Sequence, residues 1–200
     1  MEKGASCIKN VQFLKSVYNI KDLPTELSVE LAFAGRSNVG KSSLLNAIFG
    51  SRKFVKVSSR PGFTQSLNFF LINKTSYFVD LPGYGFAKAP KKVIEKWQKL
   101  IDAYLKKRAN LKAVVCIFDI RRNLDDLDIG LLNYLSSLKL RQIIVFNKAD
   151  KLSNNKIKAN LERAKILMPS EIDKFFVVSA KTGKGLKNLL DEAICPLIEI

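Results

Sequence analysis

The residues best placed to do chemistry sit in one short run, G-R-S-N-V-G-K-S from Gly35 to Ser42. The run fits G-x-x-x-x-G-K-[ST], a pattern that needs a strand before it and a helix after it. Its glycines let the backbone curl so that successive N–H groups, from Gly35 through Arg36, Ser37, Asn38, Val39 and Gly40, face a chain of phosphates. The N-terminus of the following helix, at Ser42 and Ser43, adds further amides and the positive end of its dipole. Lys41 would reach the β and γ phosphates, and the Ser42 hydroxyl would hold Mg²⁺. From average residue usage a random chain of this length matches at roughly the one per cent level. Companion motifs must therefore decide the matter.

Those companions occur in the order a nucleotide switch requires. D-L-P-G, Asp80 to Gly83, offers a carboxylate able to hold Mg²⁺ through water or from behind its direct ligands. With Leu81 and Pro82 completing the loop, the Gly83 N–H can sense a γ-phosphate. N-K-A-D, Asn147 to Asp150, selects the base: Asp150 can accept from N1–H and N2–H₂ of guanine, donors that adenine lacks on that edge. A site built on such bonds rejects the wrong partner by about 10⁴ or more in favourable cases. Asn147 would touch the other edge of the ring and the Lys148 stem would cover its face. S-A-K, Ser179 to Lys181, preceded by Val178, can lend backbone N–H groups, Ala180 included, to guanine O6. In the loop S-S-R-P-G-F-T-Q, Thr64 is the candidate Mg²⁺ ligand, with its neighbouring hydroxyls as alternatives. Gly62, Phe63, Gln65 and Ser66 would line the nucleotide beside it. The implied cofactors are GTP or GDP with Mg²⁺, and Lys41, Thr64 and Gly83 would act on the phosphates.

Such groups work only if strands and helices hold them at one edge. Val29 to Ala34, Tyr77 to Asp80, Ala113 to Asp119, Gln142 to Asn147 and Lys174 to Val178 read as strands. Asn68 to Ile72 reads as one arm of a hairpin. Helical patterns run over Ser42 to Phe49, around Val93 to Leu105, behind Asp125, Asp126 and Asp128, over Asn155 to Met168, and from Gly185 to a stop at Pro196. Strands alternating with helices predict a P-loop GTPase fold of the Ras-like type. That is a three-layer α/β/α arrangement on a mostly parallel six-stranded sheet with one antiparallel strand and an extra N-terminal edge strand at Val11 to Val17. Two hundred residues leave room for one such unit, so 1–200 reads as a single GTP-binding domain.

Composition narrows the chemistry further. The chain is 47% hydrophobic and 10% aromatic, enough for a packed core. It has no histidine, which removes histidine-dependent acid–base, zinc and nucleophile systems. Cys7, Cys116 and Cys195 suit neither a disulfide framework nor a CxxC metal site, so three reduced thiols are expected. No hydrophobic leader or transmembrane run is visible, and a cytoplasmic location follows as an expectation. The net charge is +16, and 14 basic against 3 acidic residues put +11 of it in residues 50–112, including Arg52, Lys53, Lys56, Arg60, Lys88, Lys91 and Lys92. A compositional bias would have spread the charge evenly. A polyanion-binding face beside the two switch loops is expected instead.

The chain resembles one family closely in F-A-G-R-S-N-V-G-K-S-S-L-L-N, P-G-F-T-Q with N-F-F beyond it, V-D-L-P-G-Y-G-F-A, D-I-R-R-N-L-D-D-L-D, N-K-A-D-K-L-S and S-A-K. It is similar to the EngB family of bacterial GTPases, also called YihA or YsxC, from about Val11 onward. The resemblance implies a factor in assembly of the large ribosomal subunit, engaging ribosomal RNA and proteins and linked to cell division and septation; separately, a monomer is expected. Phe63 stands where the family pattern has a basic residue, which puts a polyanion contact there in question.

Tyr84 occupies the place of the glutamine that orients water in Ras-like enzymes, so unassisted hydrolysis should be near or below roughly 10⁻³ s⁻¹. Activation would come from the ribosomal precursor, from K⁺, or from both. Asn38 has two readings, as a ligand for K⁺ near the phosphates and as a brace of its own loop. Two other functions stay open: an Era-like RNA-associated GTPase, and a guanine-nucleotide-dependent binding module in which hydrolysis is incidental.

Overall fold

The computed structural model describes residues 7–51, 54–55, 66–85, 91–172 and 174–198, with the backbone alone at 91–94, 96 and 97. Among them, β1 (Val11–Val17), β2 (Val29–Gly35), β3 (Leu67–Ile72), β4 (Ser76–Asp80), β5 (Leu111–Asp119), β6 (Gln142–Asn147) and β7 (Phe175–Val177) form one sheet in the order β1-β3-β4-β2-β5-β6-β7. β3 runs antiparallel to both of its neighbours and the remaining pairs are parallel. The edge strand expected at Val11 to Val17 is a true seventh member. Asn73 explains why it docks: its side chain binds the amides of Lys9 and Asn10 at 2.9 and 3.1 Å and the Cys7 carbonyl at 2.6 Å.

The central strands are apolar on both faces because helices cover both. α1 (Lys41–Ile48) and the C-terminal turns close one face, with Leu44, Leu45 and Ile194 against Leu31, Phe33 and Val115. α2 (Lys91–Lys107), α3 (Asp126–Ser137) and α4 (Asn154–Leu167) close the other, with Tyr104, Leu132 and Ile157 in the cluster that holds Ala32, Val114 and Phe146. The chain places β3 and β4 on one side of β2 and β5 to β7 on the other. That reversal opens a crevice at the carboxyl ends of the strands, where ligands bind in sheets of this kind.

Two expectations fail here. Helical structure does not stop at Pro196 but runs through α5 (Leu186–Leu189), a π turn at Leu190–Ile194 and α6 (Cys195–Ile198). A proline ring displaces the carbonyl one turn earlier, and the widened turn just before it accommodates that displacement. Nor are there three free thiols. Cys7 and Cys195 form a disulfide with Cα atoms 5.6 Å apart, and Cys116 is the buried free one, its thiol pushed up by burial. Their separation of 188 residues hid a pairing that exists because both ends of the chain pack into the same core cluster.

The charge distribution also differs from the sequence picture. Arg108 is buried and ion-paired with Glu30, which is itself 0% exposed at the start of β2. The Tyr104 hydroxyl donates to Glu30 Oε2 at 3.0 Å, and Arg108 also donates to the Pro24 carbonyl at 3.0 Å. Burial, then the Glu30 charge, raises the Tyr104 phenol well above its usual value. This cluster ties the end of α2 to the sheet and takes Arg108 out of the basic surplus. Lys74, in the β3–β4 turn, and Lys112, early in β5, lie at the end of the sheet away from the crevice. Arg108→Met should destabilise the protein by about 3–5 kcal/mol, because it leaves a buried carboxylate without its cation. Adding Glu30→Leu should recover most of the loss in urea unfolding, and a single variant as stable as the parent would refute this account.

Candidate guanine-nucleotide site

The phosphate loop leaves β2 at Gly35 and enters α1 at Lys41. Asn38 and Gly40 hold positive φ values of 66° and 93°. A Cβ on Gly40 would lie 2.5 Å from Asn147 Nδ2, so only glycine fits there. The Gly40 cap offers no side chain to α1, so the amides of its first turn are left for an outside acceptor. Ser37 Oγ is a buried hydroxyl without a partner among the described residues. A loop with these donors fits a bound phosphate chain.

Lys41 and Asp80 are 8% and 2% exposed and form a buried ion pair across the crevice, one opening α1 and the other closing β4. A phosphate on the lysine side and a cation on the carboxylate side would take the place of that pair, charge for charge. Leu81, Pro82 and Gly83 follow Asp80 directly, with the Leu81 N–H held by the Phe33 carbonyl at 3.0 Å. Ser42, beside Lys41, completes the described donors for a metal. Gly62, Phe63, Thr64 and Gln65 lie outside the described residues. Ser66 is buried and donates to Asn68 Oδ1 at 3.1 Å, turned into the sheet rather than toward a nucleotide.

On the base side, two of the residues expected at the purine bind other protein groups in this structure. Asn147 was expected to touch the purine, but its Nδ2 donates to the Val39 and Gly40 carbonyls at 3.1 and 3.4 Å. Its Oδ1 accepts from the amides of Lys148 at 2.8 Å and Ala180 at 3.1 Å. The Ala180 amide is thus held by the Asn147 side chain. Val178 is wholly within the core. Asp150 is oriented by Ser179, whose Oγ donates to Oδ1 at 2.6 Å, and that bond holds the carboxyl below its usual range. Ser43, Lys181 and Asn46 help to line an adjoining cavity of about 690 Å³ between α1 and the S-A-K loop.

Sequence reasoning missed Asp119. It ends β5 opposite Asn147, and its Oδ2 pairs with Lys148 Nζ at 2.8 Å and with Arg121 at 2.7 Å. Burial raises its pKa, but the bonds from Arg121 and Lys148 outweigh this and bring it down to about 2. Lys148 Nζ also donates to the Asn38 carbonyl, so its stem spans from β6 to the phosphate loop. D-I-R-R served only as a family marker in the sequence. The signal was an acid ending a central strand with arginines directly behind it.

This strand order, with the G-x-x-x-x-G-K-S loop leaving β2 and the N-K-A-D run leaving β6 two strands away, is that of a P-loop GTPase. Residues 30–148 match the family described as 50S ribosome-binding GTPase. The chain is 45% identical over 184 residues to a probable GTP-binding protein EngB of Halothermothrix orenii, covering 91% of this chain and 92% of that one. It superposes on a crystal structure of a probable GTP-binding protein engB with a TM-score of 0.69 and 29% identity, covering 86% of this chain and 99% of the other. The chain belongs to the EngB family of GTP-binding proteins. A single-residue variant of Aquifex aeolicus Era bound to GDP.AlF4- has the same TM-score of 0.69 at 22% identity, covering 86% of this chain and 57% of that one, and shares the fold.

Asp150→Asn should reverse base preference. An asparagine amide places N–H₂ against the guanine N2 amine, whereas xanthine has a carbonyl there. Losing bonds to a charged acceptor should weaken GDP by about a hundredfold or more. Calorimetry should then show XDP binding more tightly than GDP, and a variant that still prefers GDP would remove Asp150 from the base site.

Proposed function

We propose that this protein is a nucleotide-dependent switch in assembly of the large ribosomal subunit. GTP orders the loops, the protein binds a precursor particle, and hydrolysis releases it. The observation that carries the reading is the match of residues 30–148 to a family described as ribosome-binding, on a chain whose Lys41 and Asp80 meet at a phosphate-binding loop. Ribosomal RNA and proteins are the partners, and the basic surplus of residues 50–112 supports an RNA contact. The protein acts as a monomer in the cytoplasm, with a link to division and septation through ribosome supply. Among the described residues no helix is long and apolar enough to cross a membrane.

Ser42 and Thr64 would hold Mg²⁺, with Asp80 behind it once released from Lys41. The metal would supply positive charge on the β and γ phosphates. Lys41 neutralises the same oxygens, and the Gly83 N–H reports the last phosphate. Unassisted hydrolysis is slow because a phenol, Tyr84, stands where a water-orienting amide would be. Asn38 supports a role for K⁺: its side chain sits at an exposed left-handed turn while its carbonyl is taken by Lys148. An Era-like RNA-associated role is the second reading, favoured by the shared fold.

The GTP-loaded protein should co-sediment with large-subunit precursors and the GDP form should not, with binding falling about tenfold or more between 50 and 200 mM salt. Equal sedimentation of both forms would remove the switch. Turnover should be several-fold faster in K⁺ than in Na⁺, and equal rates would leave Asn38 as a brace of its loop.

A further inference from the structure

β2 and β4 pair in parallel as far as Phe33 and Asp80, then pair again at a single bridge between Arg36 and Tyr84. Between these two pins, Leu81, Pro82 and Gly83 leave the sheet as a short bow. These two pins set the position of the Gly83 amide relative to the phosphate loop. The first is embedded in the core, since Phe33 is fully buried and Asp80 nearly so. The second is polar and stands on the start of α3.

Its construction is specific. The Tyr84 hydroxyl donates to Asp128 Oδ1 at 2.8 Å, and Arg36 forms an ion pair with Asp125 Oδ2. Those two acids are the capping box of α3. Asp125 Oδ1 accepts from the amides of Leu127 and Asp128 at 3.1 and 3.2 Å, and Asp128 Oδ2 accepts from the Asp125 amide at 3.2 Å. Each carboxylate spends one oxygen on the helix and the other on the segment around the bow. Gly85 follows at φ 82°, and a Cβ there would lie 3.0 Å from Arg36 Nε.

We propose that Tyr84 and Asp128 form a latch that holds the Leu81–Gly83 bow where it stands in this structure, so that a nucleoside triphosphate must break it and a diphosphate need not. The inference rests on the guanine-nucleotide reading of the site. Asp128 is then a positioning residue that acts on Gly83 through Tyr84 and sets the preference between GDP and GTP. A ligand shifts such an equilibrium only by its differential affinity for the two arrangements. A hydrogen bond to a carboxylate is strong enough for its loss to favour the triphosphate by about tenfold.

The test is titration of GDP and of GTPγS against the full chain, its Tyr84→Phe and Asp128→Asn variants, and the double variant. Tyr84→Phe should tighten GTPγS about tenfold and leave GDP within twofold, and the double variant should add nothing to the larger single effect. Tyr84→Phe keeps the ring and leaves the helix cap untouched, so it carries the test even if Asp128→Asn fails to fold. An unchanged ratio, or one shifted toward GDP, with tight binding retained overturns the latch alone. Failure of the unmodified protein to bind either nucleotide overturns the reading of the site and the latch with it.

Discussion

The amide of Asn147 is the joint on which the crevice depends. Two of its bonds run to carbonyls of the phosphate loop and two come from amides at its own strand end and in the S-A-K loop. Three loops from three strands are thereby fixed relative to one another by one buried side chain. The left-handed Gly40 follows from this, since a larger residue would occupy the space of the amide. Aspartate at 147 would offer acceptors to two carbonyls, and leucine would take their side-chain partner from the Val39 carbonyl and from the Lys148 and Ala180 amides.

The buried acids divide by location. Asp80, Asp119 and Asp128 lie at the carboxyl edge, each satisfied by a donor from another element. Glu30 lies at the opposite end, satisfied by Arg108 and Tyr104. Both kinds need their partners to avoid a buried unpaired charge. At the crevice, however, a phosphate would draw away the Lys41 cation and a metal the Asp80 carboxylate, so this pair is one that a ligand could exchange. No such exchange is offered to Glu30, whose partners are closed in. Polar burial at one end is therefore available for switching, and at the other it is structural.

Much of this was legible in the chain. Apolar runs and their alternation placed every strand among the described residues within a residue or two, and the phosphate loop could be read because its pattern depends on residue type at fixed spacing. What stayed hidden depends on partners distant in sequence. Asp119 looks like any strand end until Lys148 is beside it, and Arg108 looks like surface charge until Glu30 faces it. Cys7 and Cys195 are joined by a path that no local pattern encodes. Pro196 misled for the opposite reason: a strong local rule was overridden by a widened turn and by the packing of Leu197 and Ile198 into the core.

Energetics explain why polar pins suit a switch better than apolar packing would. Moving a two-state element from 1:99 to 99:1 takes about 5.5 kcal/mol of differential binding. One hydrogen bond to a carboxylate contributes about 1.5–3 kcal/mol. A pin of that size biases the position of Gly83 without locking it, and an amide bond to a phosphate can repay it. Burying an aromatic ring at the same place would set a similar bias but would respond to nothing that a nucleotide brings. The phenol of Tyr84 can stay packed while its hydroxyl changes partner, and the acid it releases remains held through its other oxygen at the cap of α3. The helix therefore survives the exchange, and the change at Gly83 reaches the start of α3 as a change in hydrogen bonding at Asp128.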